Sequence, residues 1–274
     1  MFRRLFTIVP LFFLLGSIVL LVFSNIVGAS EKSVLKKFYW IEVDASGLTN
    51  VPFSPIRWTS YRLCGVDGNK NSNCQSSSPA LPFSPRDNFG SDSGIPQGFI
   101  DNRDVYYYLT RISYAFLLIG LFFAVISLLA LFISICLPRV IAAIGSFLTF
   151  LSLLFTITAA ACLTAAHVKG RNEFNNAGHS AKLGAVAFGV LWAAVACLII
   201  SFVTSIIASA TSRRNHSNEY YSKEAAGGGA AATLHDSHNY EEPTLYEDPQ
   251  STQPATDTSK FRFFRVRPNK EPVE

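Results

Sequence analysis

The sequence predicts a membrane protein of the all-α class: a four-helix transmembrane bundle, a small β-rich, disulfide-closed extracellular domain above it, and a disordered cytosolic tail. Three observations lead there. Four long apolar blocks contain no Asp, Glu, Lys, Arg or His. Between the first two lies a polar stretch, residues 28–111, holding the two cysteines that fall outside those blocks. Beyond the fourth block the composition turns small, polar and punctuated by proline.

The blocks are residues 5–27, 112–137, 140–166 and 183–209. Each meets the roughly 20 apolar residues that a helix needs to cross the hydrocarbon core. A buried helix of a soluble protein would keep a polar face, and "LLIGLFFAVISLLALFISICL" has none. With 49% hydrophobic and 15% charged residues, the composition also argues against one or two soluble domains. The first block follows Arg3 and Arg4 and precedes "VGAS", as a signal peptide would. It exceeds the about 7–15 residues of a signal core, which predicts a retained anchor.

Arg3 and Arg4 before the first span, Arg139 in the two-residue turn 138–139, and Arg213 and Arg214 after the fourth span place both termini in the cytosol by the positive-inside rule. Lys169, Arg171 and Lys182 in the second outer loop, residues 167–182, count the other way. The cysteines break the tie. Cys64 and Cys74 enclose the polar segment "GVDGNKNSN", which cannot fold by burial, and within one chain they pair with each other. Disulfides persist outside the cytosol. A loop of about ten residues gains roughly 2–3 kcal/mol from such a staple, and Asp67-Gly68 inside it is a hairpin signal. Zinc would need four close ligands, and residues 28–111 contain no histidine. The same lack leaves no base to activate a thiol nucleophile, and the spacing is not that of a redox pair. No catalytic residue, metal site or cofactor is expected.

Upstream, "KKFYWIEVDASGL" opens with an alternating aromatic and β-branched run that predicts a strand. Trp40, then Tyr61, Cys64 and Cys74 follow an order that resembles the outer-loop signature of claudins, with "TSY" standing where those proteins carry "GLW". The tight turn supplied by that glycine is missing, so pore or junction function does not carry over from this order; a small claudin-like channel is kept as the alternative by class. Taken together, "FYWIEVDASGL", "RWTSYRLCGV" and "NCQSSSPALPFSPRDNF" on a four-span chain resemble the fungal Sur-seven/PalI family over about the first 210 residues, with Trp40, Trp58 and Tyr61 as the outer-loop motif. The resemblance implies a multi-pass plasma-membrane protein of the eisosome-associated compartment that affects endocytosis, lipid composition and cell-wall stress tolerance. Its partners would be membrane lipids, other copies or family members, and eisosome proteins. The PalI branch implies instead a component of ambient-pH signalling. The family implies no enzymatic chemistry.

The spans carry no ionisable residue and no central helix break, which speaks against a transporter. Small residues recur at four-residue spacing: Ala185, Gly189, Ala193 and Cys197 on the fourth span, Gly120 and Ala124 on the second. Such steps let helices approach closely in lipid, and packing within the bundle is preferred over contact between copies. Thr149, Ser152 and Thr156 read as interhelical hydrogen bonding, His167 as an interfacial polar residue, and Cys136 as a buried thiol ahead of a palmitoylation site. In the tail, residues 210–274, apolar content is too low to pack. Cytosolic placement makes the Asn215-His216-Ser217 sequon inert. Near the end, Lys260, Arg262, Arg265, Arg267 and Lys270 interleave with Phe261, Phe263 and Phe264. Basic groups beside an anionic inner leaflet gain about 1 kcal/mol each, so this cluster is a candidate lipid contact. Nucleic acid is not an expected partner.

Overall fold

The computed structural model describes the backbone of residues 2–30, 33–134 and 139–227 and the side chains of 8–30, 34–134 and 140–208. In chain order it runs α1 (Phe2–Asn25), a short 3-10 helix (Ser33–Lys37), β1 (Ile41–Val43), β2 (Ile56–Trp58), β3 (Leu63–Asp67), β4 (Lys70–Ser72), α2 (Pro85–Phe89), α3 (Gln97–Asp101), α4 (Arg103–Ile133), α5 (Arg139–Asn176), β5 (Ala181–Leu183) and α6 (Ala185–Gly227). Cys136, Pro138 and the basic-aromatic cluster from Lys260 to Lys270 lie outside the described residues.

α1, α4, α5 and α6 are each long and apolar enough to cross a membrane. Their outward faces are hydrophobic as well as their inward ones: Phe12, Phe122, Phe132, Phe147 and Val203 all point away from the bundle. In water that surface would drive aggregation; in lipid it is the expected exterior. Leu14, Leu21, Leu117, Ala124, Leu191 and Leu198 fill the interior.

Hydroxyls stitch the interior together, as suits a medium in which no water competes. Ser127 Oγ donates to the Gly145 carbonyl at 2.8 Å and meets Thr149 Oγ1 at 2.6 Å. Ser152 Oγ donates to the Gly120 carbonyl at 2.8 Å. Both contacts join α4 to α5. Ser201 Oγ on α6 donates to the carbonyl of Pro10 on α1 at 2.9 Å, and Trp192 Nε1 on α6 donates to Thr164 Oγ1 on α5 at 3.2 Å. Thr149 and Ser152 thus do what their positions predict. Thr156 does not: its buried hydroxyl has no partner among the described residues and lies against Gly120.

Above the bundle sits one antiparallel sheet of order β4-β3-β2-β1-β5. The predicted strand appears as β1, directly after Trp40. β3 and β4 form a hairpin whose Asp67↔Lys70 pair brackets Gly68 and Asn69. Gly68 has φ 58°, the positive value that the first loop residue of a II′ turn requires.

Two features depart from the apolar-block boundaries. Residues 181–183 of the second loop pair with β1 (Glu42↔Lys182, Ile41↔Leu183), so Leu183 stands in a strand and the fourth helix begins at Ala185. The helices also outrun the blocks. α4 starts at Arg103, and α5 runs through Gly170, which keeps an ordinary helical conformation, and continues to Asn176. There Gly178, at φ 87°, ends the helix in a paired arrangement: His179 N–H bonds the Phe174 carbonyl and Gly178 N–H that of Asn175. α6 likewise runs on to Gly227, taking in the first part of the stretch assigned by composition to the tail. A helix already nucleated in a span propagates readily through residues such as "SKEAA".

Candidate functional site in the sheet cap

The cap is built on charges that face one another. β1 reads Ile-Glu-Val and β2 reads Ile-Arg-Trp, and their register sets Glu42 opposite Arg57. Arg57 Nε donates to Glu42 Oε2 at 2.6 Å, with the two side chains only 2% and 9% exposed. Lys182 Nζ, brought in by β5, reaches the other carboxylate oxygen at 2.9 Å. Arg57 also donates to Asn71 Oδ1 on β4 at 3.1 Å and lies over the Tyr39 ring at 4.1 Å. Asn71 Nδ2 in turn donates to the Phe38 carbonyl at 2.8 Å. Burial opposes ionisation of Glu42, but hydrogen bonds from Lys182 and Arg57, together with their positive charges, outweigh it and hold its carboxyl below the ordinary value. The Lys182 ammonium is raised by the hydrogen bond and the charge of Glu42.

The sequence singled out neither Glu42 nor Arg57. A signal was present: one charge of each sign at the centre of two otherwise apolar three-residue strands.

Cys64 and Cys74 form the expected disulfide. It joins β3 to the strand exit after β4, and Cys64 pairs in register with Arg57. The staple thus braces β3 and β4 while the ion network ties β1, β2 and β5, and the two meet at Arg57, which pairs with Cys64 and bonds Asn71 of β4.

The outer-loop motif divides its work between two cores. Trp58 belongs to the cap: it meets Phe83 and Phe89 edge-on at 5.4 and 5.7 Å, and its Nε1 donates to Asn88 Oδ1 on α2 at 2.9 Å. Trp40 belongs to the bundle core, packing on Phe188 of α6 at 5.2 Å while its Nε1 donates to Ser60 Oγ at 2.9 Å. Tyr61 reaches down to α4, its hydroxyl 2.7 Å from that of Tyr114. The helix extensions complete the cap core with Tyr106 from α4 and Phe174 from α5. His167 is not an interfacial residue but is 2% exposed, stacked on Phe83 at 4.7 Å.

Gly184 lets β5 meet the chain before β1. Its N–H donates to the Trp40 carbonyl at 2.9 Å, and a Cβ there would overlap the Tyr39 carbonyl oxygen. Only glycine fits so close a backbone approach.

The two small-residue steps differ. Gly120 and Ala124 face inward, toward Thr156 and Ser152 of α5. Ala185, Gly189 and Ala193 face outward, contrary to the expectation of packing within the bundle. The reason is the phase of α6: Ala187, Leu191, Ala194 and Leu198 form its inward face, leaving the small stripe on the other side.

Similarity to other proteins now adds to this geometry. The chain is 40% identical over 211 residues, 77% of its length and 68% of the relative's, to the SUR7 family protein FMP45 of Saccharomyces cerevisiae. It is 41% identical over 198 residues to the protein SUR7 of Candida albicans, covering 72% of each chain. A Saccharomyces cerevisiae protein described as the uncharacterized plasma membrane protein YNL194C is 39% identical over 213 residues, 77% of this chain and 70% of that one. The profile of the SUR7/PalI family matches residues 6–204, a span that takes in most of α1, the whole cap, α4, α5 and the first part of α6. With its membrane bundle, its disulfide and its sheet closed by both loops, this chain belongs to the SUR7/PalI family.

Proposed function

We propose that the protein is a non-enzymatic structural organiser of a plasma-membrane domain, of the eisosome-associated kind, through which it influences endocytosis, lipid composition and tolerance of cell-wall stress. The cap carries this proposal: its buried charges, aromatic rings and disulfide are spent on one another, giving a rigid body fixed to four membrane spans. A relative's description as a plasma membrane protein supports the location. In this proposal the cap is extracellular and both termini are cytosolic. Its partners are membrane lipids, other copies or family members, and eisosome proteins. The cluster of Lys260, Arg262, Arg265, Arg267 and Lys270 contacts the anionic inner leaflet.

The deciding experiment is live imaging of the tagged full-length protein in a fungal cell. Static cortical patches support the organising role; an even, mobile distribution in the plasma membrane overturns it. Orientation has its own test. A membrane-impermeant thiol reagent applied to intact cells should label Cys64 and Cys74 only after reduction; equal labelling without reduction would count against the disulfide, and no labelling even after reduction would count against extracellular placement.

A further inference from the structure

Between cap and bundle runs a narrow crevice, wide enough for a group the size of a water or a hydroxyl. Its inner wall includes Trp40, Ser60, Thr110 and His167, and its rim is formed by partly exposed Leu81 and Tyr114. His167 is 2% exposed. Its Nδ1 lies 2.8 Å from the Leu163 carbonyl, which can only accept, so Nδ1 carries the proton and Nε2 is a bare acceptor. Nε2 has no partner among the described residues. Nε2 is not one of the fully enclosed unpaired atoms, and His167 lines the crevice, where this nitrogen can accept from a donor.

The other polar groups narrow the choice. Thr110 Oγ1 is occupied, donating to the Tyr106 carbonyl at 2.8 Å and accepting from Phe83 N–H at 3.1 Å. Ser60 Oγ, 8% exposed, accepts from Trp40 Nε1 and keeps its own proton to give. Thr59 Oγ1, like that of Thr110, is occupied, and the Tyr114 hydroxyl at the rim is paired with that of Tyr61. On its inner wall the crevice thus offers His167 Nε2 as acceptor and Ser60 as donor, and no charged side chain lines it. A water inside a protein commonly makes about three hydrogen bonds. One donor and one acceptor suit an uncharged hydroxyl whose remaining bond goes to carbon. The rim lies where that carbon body could stay in lipid, since Tyr114 stands just inside the uncharged block that begins at residue 112.

We propose that this crevice is a lipid-hydroxyl site: it takes the single uncharged hydroxyl of a membrane amphiphile, which donates to His167 Nε2 and accepts from Ser60, while the amphiphile's apolar body lies along Tyr114 and Leu81 at the rim. Sterols and long-chain alcohols carry such a hydroxyl; phosphate-bearing headgroups do not fit an uncharged crevice of this width.

The test uses the full chain in nanodiscs and a photoreactive sterol, compared with its O-methyl ether, which has the same body but no donor. The alcohol should label peptides containing Tyr114 or Leu81 about tenfold more than the ether does. His167→Phe, which keeps an aromatic ring but loses the acceptor, should abolish the difference, whereas His167→Gln should retain part of it. Equal labelling by alcohol and ether overturns the proposal, as does labelling confined to the outward faces of the spans, or none at all, in which case the crevice holds only water. The wild-type comparison decides the matter even if a His167 variant fails to fold.

Discussion

The cap and the bundle solve the same problem, holding short or featureless elements in one arrangement, by opposite means. In the cap, five short strands are fixed by a disulfide, a buried ion network and tryptophans anchored at both ends. Each of these depends on particular side chains. In the bundle, the contacts are hydroxyl-to-carbonyl bonds and close approaches of glycine and alanine, spread over long helices whose outer faces dissolve in lipid. The difference follows from the solvent. Water rewards burial but competes for polar contacts, so a small outer domain needs strong local fasteners. Lipid offers no hydrophobic drive between helices, so fit and modest hydrogen bonds decide. Single substitutions should therefore injure the cap severely and the bundle mildly.

The largest effect is expected at the ion network. Glu42→Ala leaves the buried Arg57 charge without a carboxylate, with only Asn71 and the Tyr39 ring beside it; breaking a buried pair in this way typically costs about 3–5 kcal/mol. Replacing Glu42 and Arg57 together with leucine and methionine should come much closer to the wild type, because no stranded charge remains. Limited proteolysis of the cap in nanodiscs, read against urea, would measure both. A double variant as unstable as the single one would mean that the network does more than satisfy itself.

The same network sets a pH window. Glu42 has a folded pKa below its ordinary 4.5. Its contribution is thus full above about that value and is lost as pH falls through the lower, folded one. Lys182 is raised above 10.5. Its contribution is present below that value and lost as pH rises through the folded one. Cap protection should accordingly stay level between these limits, and Glu42→Gln should remove the acid limb. An acid limb that persists in Glu42→Gln would assign it to other carboxylates such as Asp87, which Arg103 and Ser84 also hold low against burial.

Next comes the staple. Cys64→Ser should cost about 2–4 kcal/mol in the cap, and the free Cys74 should lower delivery to the cell surface. Helix content, dominated by the four spans, should change little. Loss of helix on the same scale as loss of the cap would show that the two regions fold as one cooperative unit.

The sequence made the bundle legible because uncharged blocks are unmistakable, and it made the disulfide legible because two cysteines stood alone outside them. It concealed the join. Leu183 looks like the first residue of a span, yet it is a strand residue, and only its pairing with Ile41 across the fold reveals that. Tyr106, His167 and Phe174 sit on helices that continue past the apolar blocks into the cap, where a search for charge-free runs stops short. The outward set of Ala185, Gly189 and Ala193 was hidden for a related reason: helical spacing gives the stripe but not the angle at which the helix meets its neighbours.

That stripe allows a direct comparison within the bundle. Gly120→Leu pushes a side chain into Thr156 and the α5 backbone, an overpacking that typically costs about 1–3 kcal/mol. At Gly189 an added Cβ meets nothing within 4 Å, so Gly189→Leu should leave the monomer's thermal unfolding unchanged. Chemical crosslinking in membranes separates the two further. If Gly189→Leu removes a crosslinked dimer that Gly120→Leu retains, the outward stripe is a contact between copies; if neither changes the pattern, it faces lipid alone.

The smallest effect marks the boundary of the cap's fastening. Arg86 and Asp92 approach within 2.8 Å, but their side chains are 42% and 48% exposed. Water screens such a pair, and ordering two mobile side chains offsets much of the attraction, so exposed pairs usually contribute about 0.2–1 kcal/mol. Arg86→Ala should therefore shift cap stability by less than about 1 kcal/mol, and the shift should shrink further in high salt. Set beside Glu42→Ala, the same kind of contact in the same domain should differ several-fold in cost, with burial as the cause. If the two substitutions proved equally damaging, the cap's stability would depend on its overall charge pattern, and the buried pair would lose its central place in holding the strands together.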